Sequence, residues 1–193
     1  MSYNKPVVVL VHGFNVRDGG KKSIDQLAPY LEQLGWEVDK DSADYGWWGL
    51  LMVWAFPKKK IENRLIKAFS TADMVLTHSN GANFATRALG RMNGFHVPKV
   101  VQHFSPALDR DTPVPEGVKK EFIFFSKRDI IVALSKYLPA MPWGSAGSKG
   151  KIGIGPYQNL NYTDKIEHHS DWFKKPMVEH MAVRAVVNYN KVD

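Results

Sequence analysis

The stretch "MVLTHSNGANFATRAL" occupies Met74–Leu89, and its reading decides the fold. An apolar run ends on His78-Ser79-Asn80-Gly81 and then resumes with apolar residues at helical spacing. Asp73 to Ser79 reads as a strand buried on both faces, as in a mostly parallel sheet, and the residues from Gly81 read as the helix it feeds. Ser79 then stands at the carboxyl end of a strand and the start of a helix, where a sharp turn lifts its hydroxyl off the sheet edge. The helix end beneath it supplies backbone N–H groups and partial positive charge, which suit a developing oxyanion. Its neighbours are small: Gly81 lets the turn close and Ala82 lets the helix approach. The competing role is that of a helix-capping serine, whose oxygen accepts from the same N–H groups.

Outward from this unit the chain repeats the pattern. "PVVVLVHG" (Pro6 to Gly13) is β-branched and continuously apolar, a second strand buried on both faces. After a glycine-rich loop, Ile24, Leu27, Leu31 and Leu34 predict a helix from an N-cap at Ser23 to a stop at Gly35. "WEVDKDSADYG" holds a short strand, and a basic amphipathic helix is expected from Lys60 to Ser70. Lys99–Pro106 and Glu121–Asp129 predict further strands, Pro139–Gln158 a Gly/Pro-rich loop, "NLNYTD" a last short strand and "KKPMVEHMAVRAVVNYN" a closing helix. Strands alternating with helices imply an α/β fold with a central, mainly parallel sheet, read as one domain over residues 1–193. Chemistry in such sheets lies beyond the carboxyl ends of the strands.

Composition narrows the class. The chain is 44% hydrophobic and 23% charged, near the globular average, and has no cysteine, which excludes disulfides and thiolate metal sites. No signal peptide is read at the N-terminus, and "GWWGLLMVWAF" is too short for a membrane-spanning helix, so a cytoplasmic protein is expected. A net charge of +7 raises the question of an anionic partner. The lysines come as scattered doublets and one triplet, Lys58 to Lys60, which reads as solvated surface, and no nucleic-acid partner is expected. A contiguous basic face with salt-dependent binding would indicate an anionic polymer or membrane surface instead.

A serine hydroxyl needs a base to take its proton and a carboxylate to steer that base. The strand-end rule supplies Asp129, directly after the apolar run "FIFF", with Asp109 and Asp111 as rivals after the preceding strand. It supplies a histidine, His168 or His169, in "EHHSDWF" after the last strand. His180 falls inside a helix, and His12 and His78, at the ends of their strands, read as structural residues or as supports behind the site. The order along the chain is Ser, Asp, His.

These features, with "VVVLVHGF" at the first long strand, resemble the α/β-hydrolase fold, and within it small, cap-less serine hydrolases of phage and bacterial type. The resemblance covers most of the chain. It implies that Ser79 of "THSNG" is the nucleophile, Asp129 of "SKRD" the acid and His169 of "HSDWF" the base, with the backbone N–H groups of Phe14 and Asn80 as oxyanion hole. The family's elbow is usually Gly-x-Ser-x-Gly, whereas Thr77 stands here in place of the first glycine and implies a differently packed elbow.

Trp47, Trp48, Leu50 and Leu51 are the candidate wall of an acyl pocket or a weak contact with a membrane surface; ordinary core packing is the alternative. Neither "WGSAGSKGKIGIGP" nor "GFNVRDGGKKS" has the spacing of a phosphate-cradling loop. No metal-ligand spacing occurs, and no cofactor is expected. The expected function is hydrolysis of a small acyl substrate, a carboxylic ester or related compound, through an acyl-enzyme. The alternative is a non-catalytic binding or scaffold protein that retains the fold. The oligomeric state is left open.

Overall fold

The computed structural model describes residues 5–13, 20–40, 58–92, 96–135 and 144–192. Strands β1 (Val7–Val11), β2 (Glu37–Asp39), β3 (Met74–His78), β4 (Val100–Phe104), β5 (Lys120–Phe125) and β6 (Tyr157–Asn161) form one sheet in the order β2-β1-β3-β4-β5-β6. Every pairing is parallel. The helices are α1 (Ala28–Gln33), α2 (Lys58–Phe69), α3 (Gly81–Leu89), α4 (Ile130–Ser135), α5 (Ala146–Lys149) and α6 (Met177–Tyr189).

Side chains alternate across each strand, so an unbroken apolar strand must be covered on both sides. Val8, Leu10, Met74, Leu76 and Phe104 pack with Leu27, Leu31, Met181 and Ala185, on the side of α1 and α6. Val9, Val11, Val75 and Val101 face the other way, against Ile61, Leu65, Phe84 and Ala88 of α2 and α3. Helix α6 meets this demand with Val178, Met181, Ala182 and Ala185, all buried at helical spacing. The edge strands are short or half exposed: β2 has three residues, and β6 buries none completely.

Several boundaries differ from the sequence expectation. The helix predicted from Ser23 begins as a 3-10 turn over Ile24–Leu27, and α1 starts at Ala28. Pro29 explains the break, since it lacks an N–H and its ring excludes a helical carbonyl four residues back, so it fits only a first turn. Ser23 makes no side-chain cap; its hydroxyl donates to the Gly20 carbonyl at 3.2 Å. The stretch expected as a plain loop holds the one-turn α5. The last strand lies over Tyr157–Asn161, earlier than "NLNYTD", because it pairs residue for residue with Glu121 to Phe125.

A polar seam crosses the sheet on the α2/α3 side. Thr77 Oγ1 lies 2.6 Å from His103 Nδ1, and His103 Nε2 lies 2.9 Å from Glu121 Oε1. Glu121 Oε2 accepts from Lys151 Nζ, and all four residues are buried. Burial pushes the Glu121 pKa up, but the bond and charge of His103 and those of Lys151 prevail and hold it below the ordinary value.

The chain runs from β1 outward to β2, returns past β1 to β3, and continues in one direction to β6. This reversal opens a crevice between the carboxyl ends of β1 and β3, the position where open α/β sheets bind ligands. No helix among the described residues is long and apolar enough to cross a membrane.

Glu121→Gln leaves the Lys151 ammonium buried without its counter-charge, a break that costs about 3–5 kcal/mol. Urea unfolding at neutral pH should show that loss. Because the folded-state pKa is depressed, the contribution is complete above the unfolded carboxylate value of ~4.3 and fades as pH falls below it. The gap between wild type and variant should therefore narrow in acid; a gap independent of pH would refute the assignment.

Candidate active site

Ser79 is the first residue after β3 and holds φ 54, a left-handed backbone that costs an L-residue roughly 1–2 kcal/mol. The turn is pinned from several sides. The Ser79 amide donates to Phe104 O at 3.0 Å, and the Ser79 carbonyl accepts from Ala82 at 3.2 Å and Ala107 at 3.0 Å. Asn80 follows as the N-cap position of α3, buried and in helical conformation, so its amide belongs to the unpaired first turn.

The end of β1 presses against this turn. A Cβ on Gly81 would lie 2.4 Å from the His12 carbonyl oxygen, and one on Gly13 would lie 2.9 Å from Ser79 Cβ. Only glycine at both positions lets the two strand ends meet. Thr77, where the elbow's first glycine is usual, is accommodated because its register partner on β4 is His103, which takes up its hydroxyl.

Asp129 ends the short loop after β5 and is fully buried. Its Oδ2 lies 2.8 Å from His169 Nδ1, and its Oδ1 accepts from the Val132 amide of α4 at 3.1 Å. The loop carrying His169 is tied down on either side of it. Ser126 Oγ donates to Ile166 O at 2.7 Å, Lys127 N donates to Thr163 Oγ1 at 2.9 Å, and Asp171 Oδ2 accepts from the amides of Glu167 (3.2 Å) and His168 (2.7 Å). Trp172 and Phe173, which complete "HSDWF", are buried and anchor the loop in the core.

His78 joins the two halves. Its ring packs on that of His169 at 4.6 Å, and its Nε2–H donates to the His169 carbonyl at 3.2 Å. Burial foremost, and then the charge of His169, push the His78 pKa down to about 3, so it stays neutral beside the second imidazole. Burial raises the Asp129 pKa, but His169's bond and charge, the Ser105 hydroxyl and the Val132 amide outweigh it and keep the carboxyl below its ordinary value. An ionised carboxylate thus fixes the Nδ1–H tautomer of a partly accessible histidine and leaves Nε2 available as a base.

The structure brings Asp129 and His169 together and sets Ser79 next to His78, whose ring touches His169. It does not bring in the rivals. Asp109 and Asp111 are exposed, and Asp109 lines a separate cavity of about 240 Å³ with Asn83, Thr86 and Arg87. His168 is exposed, and His180 lies exposed on α6 with its Nε2 3.4 Å from the Tyr162 hydroxyl. His12 is buried with Nδ1 2.8 Å from Gly13 O. Phe14, Trp47, Trp48, Leu50 and Leu51 lie outside the described residues. No group of three metal-ligating side chains converges among the described residues.

Sequence reasoning missed Ser105, His103, Glu121 and Lys151. For Ser105 a signal was present: "FSP" ends a strand as "THS" does, and the rule that found Ser79 applies to it equally.

No protein-family model matches the chain, and no curated relative is detected by sequence. Solved structures do match. An extracellular α/β-hydrolase from a Paenibacillus species is 14% identical with a TM-score of 0.58, over 93% of this chain and 98% of that one. A pyrethroid hydrolase from Sphingobium faniae is 12% identical with a TM-score of 0.60, over 96% and 97%. Aspergillus fumigatus lipase B is 14% identical with a TM-score of 0.58, over 95% of this chain and 52% of the lipase, so the chain spans about half of that protein. The fold of this chain is the α/β-hydrolase fold.

Gly81→Ala should lower the melting temperature by well over 5 °C, because its methyl meets backbone at 2.4 Å and a few kcal/mol shift the transition by roughly that much or more. Gly90→Ala, at a right-handed helix end with its nearest neighbour at 3.4 Å, should change it little. Equal losses in thermal unfolding would remove the close-approach argument.

Proposed function

We propose that this protein is a serine hydrolase acting on a small acyl substrate, a carboxylic ester or related compound. The observation that carries the reading is the 2.8 Å bond between His169 Nδ1 and the buried Asp129 carboxylate, beside a left-handed serine at the crevice between β1 and β3. The hydrolases and lipase that share the fold support it.

In this mechanism His169 Nε2 takes the proton of Ser79 Oγ as the oxygen attacks the substrate carbonyl. The tetrahedral oxyanion is received by the amide of Asn80 and that of Phe14, the latter assigned from sequence. His169 then passes the proton to the leaving group, and an acyl-enzyme remains. Water, deprotonated by His169, attacks the acyl carbon; the Ser79–acyl bond breaks and the proton returns to Ser79. Asp129 orients the imidazole and stabilises its cationic form without taking its proton. Thioesters and amides are open to the same steps, since only the leaving group differs.

A fluorophosphonate probe should label the wild type at one site, with labelling abolished in Ser79→Ala and His169→Ala. Asp129→Asn, which presents the wrong hydrogen-bonding partner to Nδ1, should slow labelling by about 10³–10⁴-fold. Intact-protein mass spectrometry and peptide mapping to Ser79 would read the result. A folded wild type that takes up no probe would refute the reading and leave a non-catalytic binding protein.

A further inference from the structure

His169 is held from two sides. Asp129 binds its Nδ1 at 2.8 Å and refers the imidazole to the segment between β5 and α4. The other hold comes from His78, whose Nε2–H donates to the His169 carbonyl at 3.2 Å and whose ring lies 4.6 Å from the His169 ring. Among the described residues no other donor reaches that carbonyl. His78 immediately precedes Ser79, so these contacts refer the proposed base to the nucleophile's own turn.

Packing alone does not account for a histidine here. His78 is buried between the His169 ring and that of Phe173, which meets it edge-on at 4.9 Å. A phenylalanine or leucine would fill such a slot with no polar atom to satisfy. Histidine instead leaves Nδ1 buried without a partner among the described residues, at a cost of about 1–3 kcal/mol for an unmet polar group. That nitrogen faces Gly13, where a Cβ would lie 3.4 Å from it. A carbonyl only accepts, so the bond to His169 needs the proton on Nε2, and the neutral ring then keeps a lone pair at Nδ1. What histidine adds over an apolar side chain is one donor aimed at the His169 backbone.

We propose that His78 is a positioning residue for His169, holding its backbone through the carbonyl and its ring through ring contact, so that Nε2 is aimed at Ser79. A ring tied through Nδ1 alone can still pivot about that bond and carry Nε2 away from the serine, and small misplacements are costly in rate. The consequence in rate rests on the hydrolase reading; the contacts do not.

His78→Phe keeps a ring and removes the donor, and it should label with fluorophosphonate roughly 3- to 10-fold more slowly, the worth of one neutral hydrogen bond. His78→Leu removes the ring as well and should be slower again. His78→Gln can place an amide N–H where Nε2 stands, and it should recover most of the rate lost in His78→Leu although it restores no ring. A role in packing alone gives the opposite order, with phenylalanine near wild type and glutamine slowest. Wild-type labelling by His78→Phe, or glutamine slower than leucine, would overturn the proposal. The NMR signal of the His169 carbonyl carbon reads the bond without turnover: it should move in His78→Phe and return toward its wild-type position in His78→Gln. If the wild type takes up no probe, the hydrolase reading fails and that signal alone decides the positioning; a position shared by wild type and His78→Phe overturns it.

Discussion

A carboxylate withdrawn completely from water must be given donors, or it will protonate. Asp129 obtains them from separate segments: the His169 ring from the loop after β6 and the Val132 amide from α4. Each donor also locates its own segment. The carboxylate therefore works as a fastening for the carboxyl edge of the sheet as well as the orienting group of a proposed base. The same low dielectric that makes an unpaired Asp129 costly strengthens each bond it makes.

The other half of the site depends on exclusion of atoms. Where β1 and β3 end side by side, the turn carrying Ser79 has space only because Gly13 and Gly81 lack side chains. Parallel pairing brings Val11 beside Thr77, so the chain beyond β1 and the turn after β3 emerge together at the point where strand order reverses. His78 bridges from this turn to the His169 loop through ring and carbonyl contacts, and it does so as a neutral group. A second cation there would oppose the imidazolium that the proposed chemistry needs.

Much of this was legible from local pattern. Continuous apolar runs identified β1, β3 and β5 because double-sided burial leaves little polar alternation, and residues just beyond strand ends nominated Ser79, Asp129 and the histidine pair. Choosing His169 over His168 took family resemblance, since both follow the same strand. The structure separates them by which ring meets Asp129. What stayed hidden was pairing across distance: nothing local to "FSP" announces that Ser105 faces an indole 67 positions later. Nor does a lysine in "GSKGKIG" suggest burial, because lysine is ordinarily exposed and only a buried carboxylate on another strand reverses that. Pro29 was visible, and its effect in dividing the first helix follows from its missing donor; the helical spacing of the leucines outweighed it.

Thr77 shows how one local departure propagates. A glycine before an elbow makes no demand, but a threonine on the inner face of a central strand brings a hydroxyl that must be bonded. His103, its register partner, meets that need and brings a second ring nitrogen with a need of its own. Glu121, two residues from the His103 partner on β5 and on the same face, accepts from it. A carboxylate there requires a cation, and Lys151 supplies one from the segment after α5, where Asn159 of β6 holds the lysine backbone at 2.8 and 2.9 Å. Three polar residues of the sheet and the lysine beside it thus satisfy one another in a chain, and removing one partner leaves the next buried group unpaired. The threonine is tolerated because the strands beside it were built to receive it, and the seam stiffens the sheet directly beneath Ser79 and Ser105.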